Sequence, residues 1–245
     1  MPRPVLLVAG GSRGIGAATA ALAGARGYDV AVNYNTNSNA AAKVVAAVKA
    51  GGGKSVALQG DMGREDDIER VFGETARQLG PLTHFVHSSG IIGPASRLDE
   101  VDAKVMREVL DVDTFGALVC LRACIQRMST KHGGKGGAVV MLSSMAATIG
   151  GATECIWYAA AKSAVDAMVI GAAREVAKEG IRINAISPGV IDTDIQPPGR
   201  IERVTPVIPM GRAGSADEVA EAILFLLSDA ASYINGANLR VSGGR

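Results

Sequence analysis

Tyr158 and Lys162 stand four residues apart in the segment Tyr-Ala-Ala-Ala-Lys, whose alanine content favours helix. That spacing puts both side chains on one helix face. A phenol titrates near ~10 when unperturbed, so at neutral pH it is a poor proton donor or base until a nearby cation favours its ionised form. An ammonium one helical turn away is such a cation. Ser143 and Ser144 lie upstream, at the end of an apolar stretch, and offer a hydroxyl to the same chemistry. An ordinary half-exposed surface pair is the competing reading of the Tyr–Lys spacing, and the elements that would position these residues must decide between the two.

The 245 residues are 48% hydrophobic and 20% charged, a balance that suits one globular domain over 1–245 with a substantial core and excludes a disordered chain. A net charge of +1, no basic run and 4% aromatics leave neither an electrostatic footprint nor stacking platforms for nucleic acid. A small molecule fits better as partner. Charges interrupt the apolar stretches before they could span a bilayer, as Lys162 and Asp166 do in the run from Cys155. The N-terminus, Met-Pro-Arg-Pro-Val, lacks the apolar core and cleavage site of a signal peptide, so a cytoplasmic protein without a membrane partner is expected. Cys120, Cys124 and Cys155 have no metal-ligand spacing and an odd count, which points to buried free thiols. His84, His87 and His132 are scattered, and no metal site is expected.

Residues 5–9 form a continuous apolar run suited to a strand buried on both faces. It ends in Gly10-Gly11-Ser12-Arg13-Gly14-Ile15-Gly16, followed by an alanine-rich helix over 17–25. Strand, glycine turn and helix in that order let a backbone bend sharply and approach a diphosphate, whose charge the helix N-terminus meets. A second strand is expected over 28–32, ending in Asn33-Tyr34-Asn35. In dinucleotide folds an acid near this point takes the ribose hydroxyls of NAD and repels a 2′-phosphate. No acid stands there, and Arg13 adds a guanidinium suited to phosphate, which favours NADP(H) over NAD(H). A solvated loop arginine is the other reading of Arg13.

Helix and strand go on alternating: helix 38–50, strand 55–58, helix 64–79, strand 82–86, one long helix over 101–130 that would break near Gly116, strand 138–142, a helix carrying Tyr158 and Lys162 to Gly180, strand 181–186, helix 215–227 and strand 239–241. Asp61 follows the third strand, placed either to contact adenine or to cap the next helix. Five of the nine prolines fall between Pro188 and Pro209, so 190–213 is read as a substrate loop or lid. Ser215 and Glu218 form a capping box. Seven strands alternating with six helices imply an α/β doubly wound parallel sheet with helices on both faces.

Taken together these residues resemble the short-chain dehydrogenase/reductase family along essentially the whole chain. The family's Thr-Gly-x-x-x-Gly-x-Gly turn is matched from Ala9 to Gly16, its Tyr-x-x-x-Lys pair by Tyr158 and Lys162, and its serine best by Ser144, fourteen residues before the tyrosine. The resemblance implies a Rossmann-like domain. It also implies a cofactor shell of Gly10, Ser12, Arg13, Gly14, Ile15 and Gly16, then Asn33, Tyr34, Asp61 and Met62, then Ser88, Gly90, Pro188, Gly189 and Thr193, joined by Tyr158 and Lys162. The implied reaction is hydride transfer between NADP(H) and a carbonyl or secondary alcohol. In it Tyr158 donates the proton, Ser144 holds the oxygen, and Lys162 lowers the tyrosine pKa and binds ribose.

Two departures stand out: His87-Ser88-Ser89-Gly90 replaces Asn-Asn-Ala-Gly, which would loosen the sheet end, and Asp113 replaces an asparagine that acts through its backbone carbonyl. Asp113 is carried over as a catalytic position, with an effect on Tyr158 of undetermined sign. A tetramer or dimer is implied as well. Alternative functions are a 3-oxoacyl-carrier-protein reductase, which would need a basic rim from Arg200, Arg203 and Arg212, and a dinucleotide-binding scaffold without turnover, against which Ser144, Tyr158 and Lys162 argue.

Overall fold

The computed structural model describes residues 3–245. The strands are β1 Val5–Ala9, β2 Asp29–Tyr34, β3 Ser55–Gln59, β4 His84–His87, β5 Gly137–Leu142, β6 Ile181–Pro188, β7 Ile191–Asp192, β8 Gly214–Ser215 and β9 Asn238–Val241. Seven of them form one sheet in the order β3-β2-β1-β4-β5-β6-β9, and every neighbouring pair is parallel. The apolar run of β1 lies inside that sheet because both of its faces are covered. Leu6 and Val8 point into a core made with α1 (Gly14–Ala25), α2 (Ser38–Ala50) and α9 (Ala216–Leu227), while Leu7 and Ala9 point into one made with α3 (Glu65–Leu79), α5 (Gly116–Met128) and α7 (Ile156–Val176). The expected α/β doubly wound architecture is therefore the one observed.

Strand order reverses beside β1, the place where open α/β sheets leave a crevice at their carboxyl ends. Ala9 pairs in register with His87, His87 with Met141 and Leu142 with Ile186, so four strands end side by side. The turns that follow them, Gly10–Gly16, Ser88–Gly90, Ser143–Ser144 and Gly189, meet at that rim.

The long helix expected over 101–130 is three pieces. These are α4 (Ala103–Leu110), one π turn (Asp111–Phe115) and α5. A β-carbon on Gly116 would lie 1.9 Å from the Met62 carbonyl oxygen, so this helix packs directly against backbone, and the widened turn just before it swings Asp113 inward to 0% exposure. The proline-rich segment also contains more order than its composition suggests. Ile191 pairs with Gly214 across β7 and β8, closing the segment at its base, and α8 (Arg200–Val204) fits between Pro197-Pro198 and Pro206. A further short helix, α6 (Ala146–Ile149), precedes α7. The capping box of Ser215 and Glu218 is formed as expected. Among the described residues no helix is long and apolar enough to cross a membrane.

His87 is 1% exposed at the end of β4, and neither ring nitrogen has a partner. Burial, with help from the Lys162 charge, pushes its imidazole down to about 3. The folded protein therefore holds His87 neutral where the unfolded chain, with an ordinary value near ~6.5, binds a proton. Stability is expected to fall as pH drops from about 6.5 toward 3, by up to about 1.4 kcal/mol per pH unit from this residue. Urea unfolding at pH 7 and pH 5 reads the slope. His87→Leu is expected to flatten it, and an unchanged slope would assign the acid sensitivity elsewhere.

Candidate active site

The glycine turn is packed as tightly as its sequence implies. A β-carbon on Gly10 would lie 2.7 Å from the Ser89 nitrogen, and one on Gly16 would lie 2.3 Å from the Gly10 carbonyl oxygen. Arg13 occupies the N-cap position of α1 without a side-chain cap, and the first turn holds no acid. By contrast, Asn37 caps α2, Asp102 caps α4 and the Ser215 box closes α9. The open N–H groups of α1 beside a backbone cradle suit the diphosphate of a dinucleotide. Arg13 is exposed and has no ion-pair partner among the described residues, and Ser12 and Ile15 are half-buried beside it. Thr193 closes over the turn, its methyl group 3.5 Å from where a β-carbon of Gly14 would stand.

Several expected cofactor residues also hold structural positions. Strand β2 runs two residues beyond the expected end, which carries Asn33 into the sheet at 1% exposure. Its Oδ1 accepts the Gly10 N–H at 3.0 Å, its carbonyl accepts the Gly11 N–H at 2.8 Å, and its Nδ2 donates to the carbonyls of Leu58 (3.3 Å) and Gly60 (3.0 Å). Asn33 thus tethers the glycine turn to two strands instead of facing a ligand with its side chain. Asn33→Ala strands three buried polar groups and is expected to cost about 2–3 kcal/mol by chemical denaturation.

Met62 is likewise a core residue, 3% exposed with its sulfur 3.9 Å from the Cys120 sulfur. Tyr34 is half-buried at the strand end against the apolar core. Asp61 is not the cap of α3, since Arg64 holds that position; its Oδ1 accepts the Gly63 N–H at 2.9 Å. At Ser88 the N–H donates to the Ala9 carbonyl at 2.9 Å, which carries the β1–β4 pairing one step past the strand end. Pro188 ends β6 with its carbonyl accepting the Met145 N–H, and Gly189 donates to the Val241 carbonyl.

The two serines separate. Ser143 is buried and its hydroxyl donates to the Lys162 carbonyl at 3.2 Å. Ser144 is half-buried, accepts the Ala146 N–H at 3.1 Å, and is the serine whose hydroxyl favours the ionised form of the Tyr158 phenol. Tyr158 and Lys162 share one face of α7, with the ammonium 5.5 Å from the phenol ring centre. Lys162 is 3% exposed, and its ammonium donates to the Leu142 carbonyl at 3.1 Å and lies 3.2 Å from Asp113 Oδ2, while Asp113 Oδ1 accepts the Ile91 N–H at 2.8 Å.

Burial raises the Tyr158 phenol above its ordinary value; Lys162 and Ser144 pull the other way, and Asp113 opposes them. The expected lowering by Lys162 is therefore present but outweighed in the folded chain. Burial works against the Lys162 charge, yet Asp113 and its other neighbours outweigh it and hold the ammonium above its usual range. Sequence reasoning missed Asn33 as a tether, although an asparagine inside a buried strand was the signal. Cys120, Cys124 and Cys155 are all buried and free, as expected.

Two surface hollows of about 490 and 670 Å³ lie elsewhere, one around Arg212, Arg240 and Arg245 and one around His84, Arg182 and Tyr233. Neither includes Ser144, Tyr158 or Lys162, and convergent chemistry is what marks this site.

The family model described as enoyl-(acyl carrier protein) reductase matches residues 9–245. The oxidoreductase YgfF of Escherichia coli K12, itself uncharacterized, is 41% identical over 245 residues, covering 98% of this chain and 99% of its own. A short-chain dehydrogenase/reductase from Serratia marcescens superposes with a TM-score of 0.92 at 27% identity, covering 99% of this chain and 98% of the other. A blue fluorescent protein from a metagenomic library, solved in complex with NADPH, gives 0.91 at 30% identity over 99% and 98% of the two chains. The family model and these relatives span essentially the whole chain, and the chain belongs to the short-chain dehydrogenase/reductase family of oxidoreductases.

Proposed function

We propose that the protein interconverts a small or medium carbonyl compound and its secondary alcohol with NADP(H), using Tyr158 as the proton donor and acceptor. The carrying observation is the convergence of the Tyr158 phenol, the Ser144 hydroxyl and the Lys162 ammonium at the rim where four strands end. Gly10, Gly14 and Gly16 with the α1 N-terminus would hold the diphosphate, and Gly189 and Thr193 would flank the nicotinamide. The bound nicotinamide supplies or accepts the hydride. Negative charge then grows on the substrate oxygen, where Ser144 donates a hydrogen bond and Tyr158 gives its proton. Lys162 favours the phenolate that remains.

Preference for NADPH follows from the exposed Arg13 and the lack of an acid at the end of β2. Arg13→Ala is expected to weaken NADPH binding about tenfold and NADH binding little, read by cofactor fluorescence. Tighter binding of NADH by the native protein would overturn the preference. A panel of ketones, aldehydes, sugars and alcohols followed at the NADPH absorbance tests the activity itself, and silence across it would reject the proposal.

The carrier-protein reading fits less well. Arg200 and Arg203 both pair with Glu154 at 2.9 and 2.8 Å, and Arg212 pairs with Glu218 at 2.6 Å, so the lid's arginines are committed to acids of this chain. Both Glu154 pairs tie α8 to the residue just before Cys155, where α7 begins, which supports reading 190–213 as a lid that limits substrate size. Phe115, Leu118 and Ile170 stand exposed on the α5 and α7 side and suit a homo-oligomer, to be read by light scattering.

A further inference from the structure

Asp113 is a carboxylate at 0% exposure where a hydrogen-bonding backbone carbonyl would suffice to position a lysine. One of its oxygens is hydrogen-bonded and the other makes only the ion-pair contact. Oδ1 accepts the Ile91 N–H at 2.8 Å, and Oδ2 lies 3.2 Å from the Lys162 ammonium. Space for this contact is kept open by Gly90, where a β-carbon would come within 3.0 Å of Oδ2 and 3.2 Å of Nζ. The π turn that carries Asp113 and the loop that carries Gly90 are thus shaped around one ion pair. Its consequence reaches Tyr158, because that ammonium is the cation a phenolate on α7 needs.

We propose that Asp113 is a positioning residue that neutralises the Lys162 ammonium and so keeps Tyr158 a neutral phenol through neutral pH, holding the site in its proton-giving state there and moving its proton-taking state to higher pH. The inference rests on the proposed role of Tyr158. Every charged or titratable group around the pair has a defined place. Asp166 lies one turn beyond Lys162 on α7, Cys155 stands at the start of α7, Ser144 follows β5, and the neutral His87 ends β4. Lys162 is the sole cation among these groups, and it is answered by a carboxylate at contact distance. A lysine so paired attracts a phenolate less than a free one does, since the approaching negative charge meets a near-neutral pair. Burial and Asp113 both push the phenol upward, in the same direction as this argument.

The test needs neither substrate nor cofactor. Phenolate absorbance near 295 nm is titrated in the native protein, in Tyr158→Phe as the baseline and in Asp113→Asn. The native-minus-baseline difference is expected to ionise at or above the ordinary tyrosine value of ~10. In Asp113→Asn the midpoint is expected to fall by about one pH unit, a roughly tenfold rise in the ionised fraction at pH 8. Asp113→Ser, which keeps a small acceptor for the Ile91 N–H, is the second variant. Should neither variant fold, the native difference still decides. A native midpoint below that of ordinary tyrosine, or a folded Asp113 variant with an unmoved or raised midpoint, overturns the inference. Failure of the carbonyl panel would reject the proposed function and leave this titration standing.

Discussion

Tyr158→Phe is expected to lower turnover by about 10³-fold or more while leaving NADPH binding within a few-fold of native. The substitution removes one oxygen from a half-buried ring and keeps the ring's packing against Val109, Trp157 and Ala161. Ser144 would still hydrogen-bond a substrate oxygen and Lys162 would still sit 3.2 Å from Asp113, so the loss isolates proton transfer. Turnover is measured with the best substrate from the panel and binding by fluorescence titration. Near-native turnover in this variant would remove the central assignment. A parallel collapse of NADPH affinity would instead make Tyr158 a cofactor ligand.

The second large effect is on stability. Lys162→Met leaves the Asp113 carboxylate buried with only the Ile91 N–H to answer it, and leaves the Leu142 carbonyl without its donor. Breaking a buried pair by removing one partner costs about 3–5 kcal/mol, because the remaining charge stays desolvated. For a chain of this size that corresponds to a fall of roughly 10 °C in melting temperature. The double variant Lys162→Met with Asp113→Asn removes the stranded charge and is expected to recover at least about half of the loss. A single-variant cost below about 1 kcal/mol would show that the two charges are not coupled in solution as their geometry implies.

The alternation of apolar runs, glycine turns and alanine-rich helices was enough to define the sheet, since a strand buried on both faces and a helix with one apolar face leave separate periodic signatures. Element ends were less legible. Strand β2 continues through Asn33 and Tyr34 because tertiary hydrogen bonds accommodate an asparagine that the local pattern treats as a strand end. The π turn at Asp111–Phe115 was visible only as a glycine at Gly116, because its cause is the Met62 backbone packed against that glycine from another element. The short helix of the proline-rich segment and its β7–β8 base arise from contacts with Glu154 and Gly214 that no local composition encodes.

By itself the sequence determined the residue types of the site: a phenol and an ammonium one helical turn apart, a serine upstream, and glycines where a backbone must come close. These are local facts of spacing and of missing side chains. Only the tertiary structure decided which serine faces the phenol, that Asn33 ties the glycine turn to the sheet, and that Asp113 lies against Lys162. The physical reason is that charge effects depend on distance and burial. A π turn, a neighbouring glycine and the end of β5 bring Asp113, Gly90 and Leu142 around one ammonium, while burial of Tyr158, with Asp113 adding to it, outweighs the lowering that its spacing from Lys162 suggests.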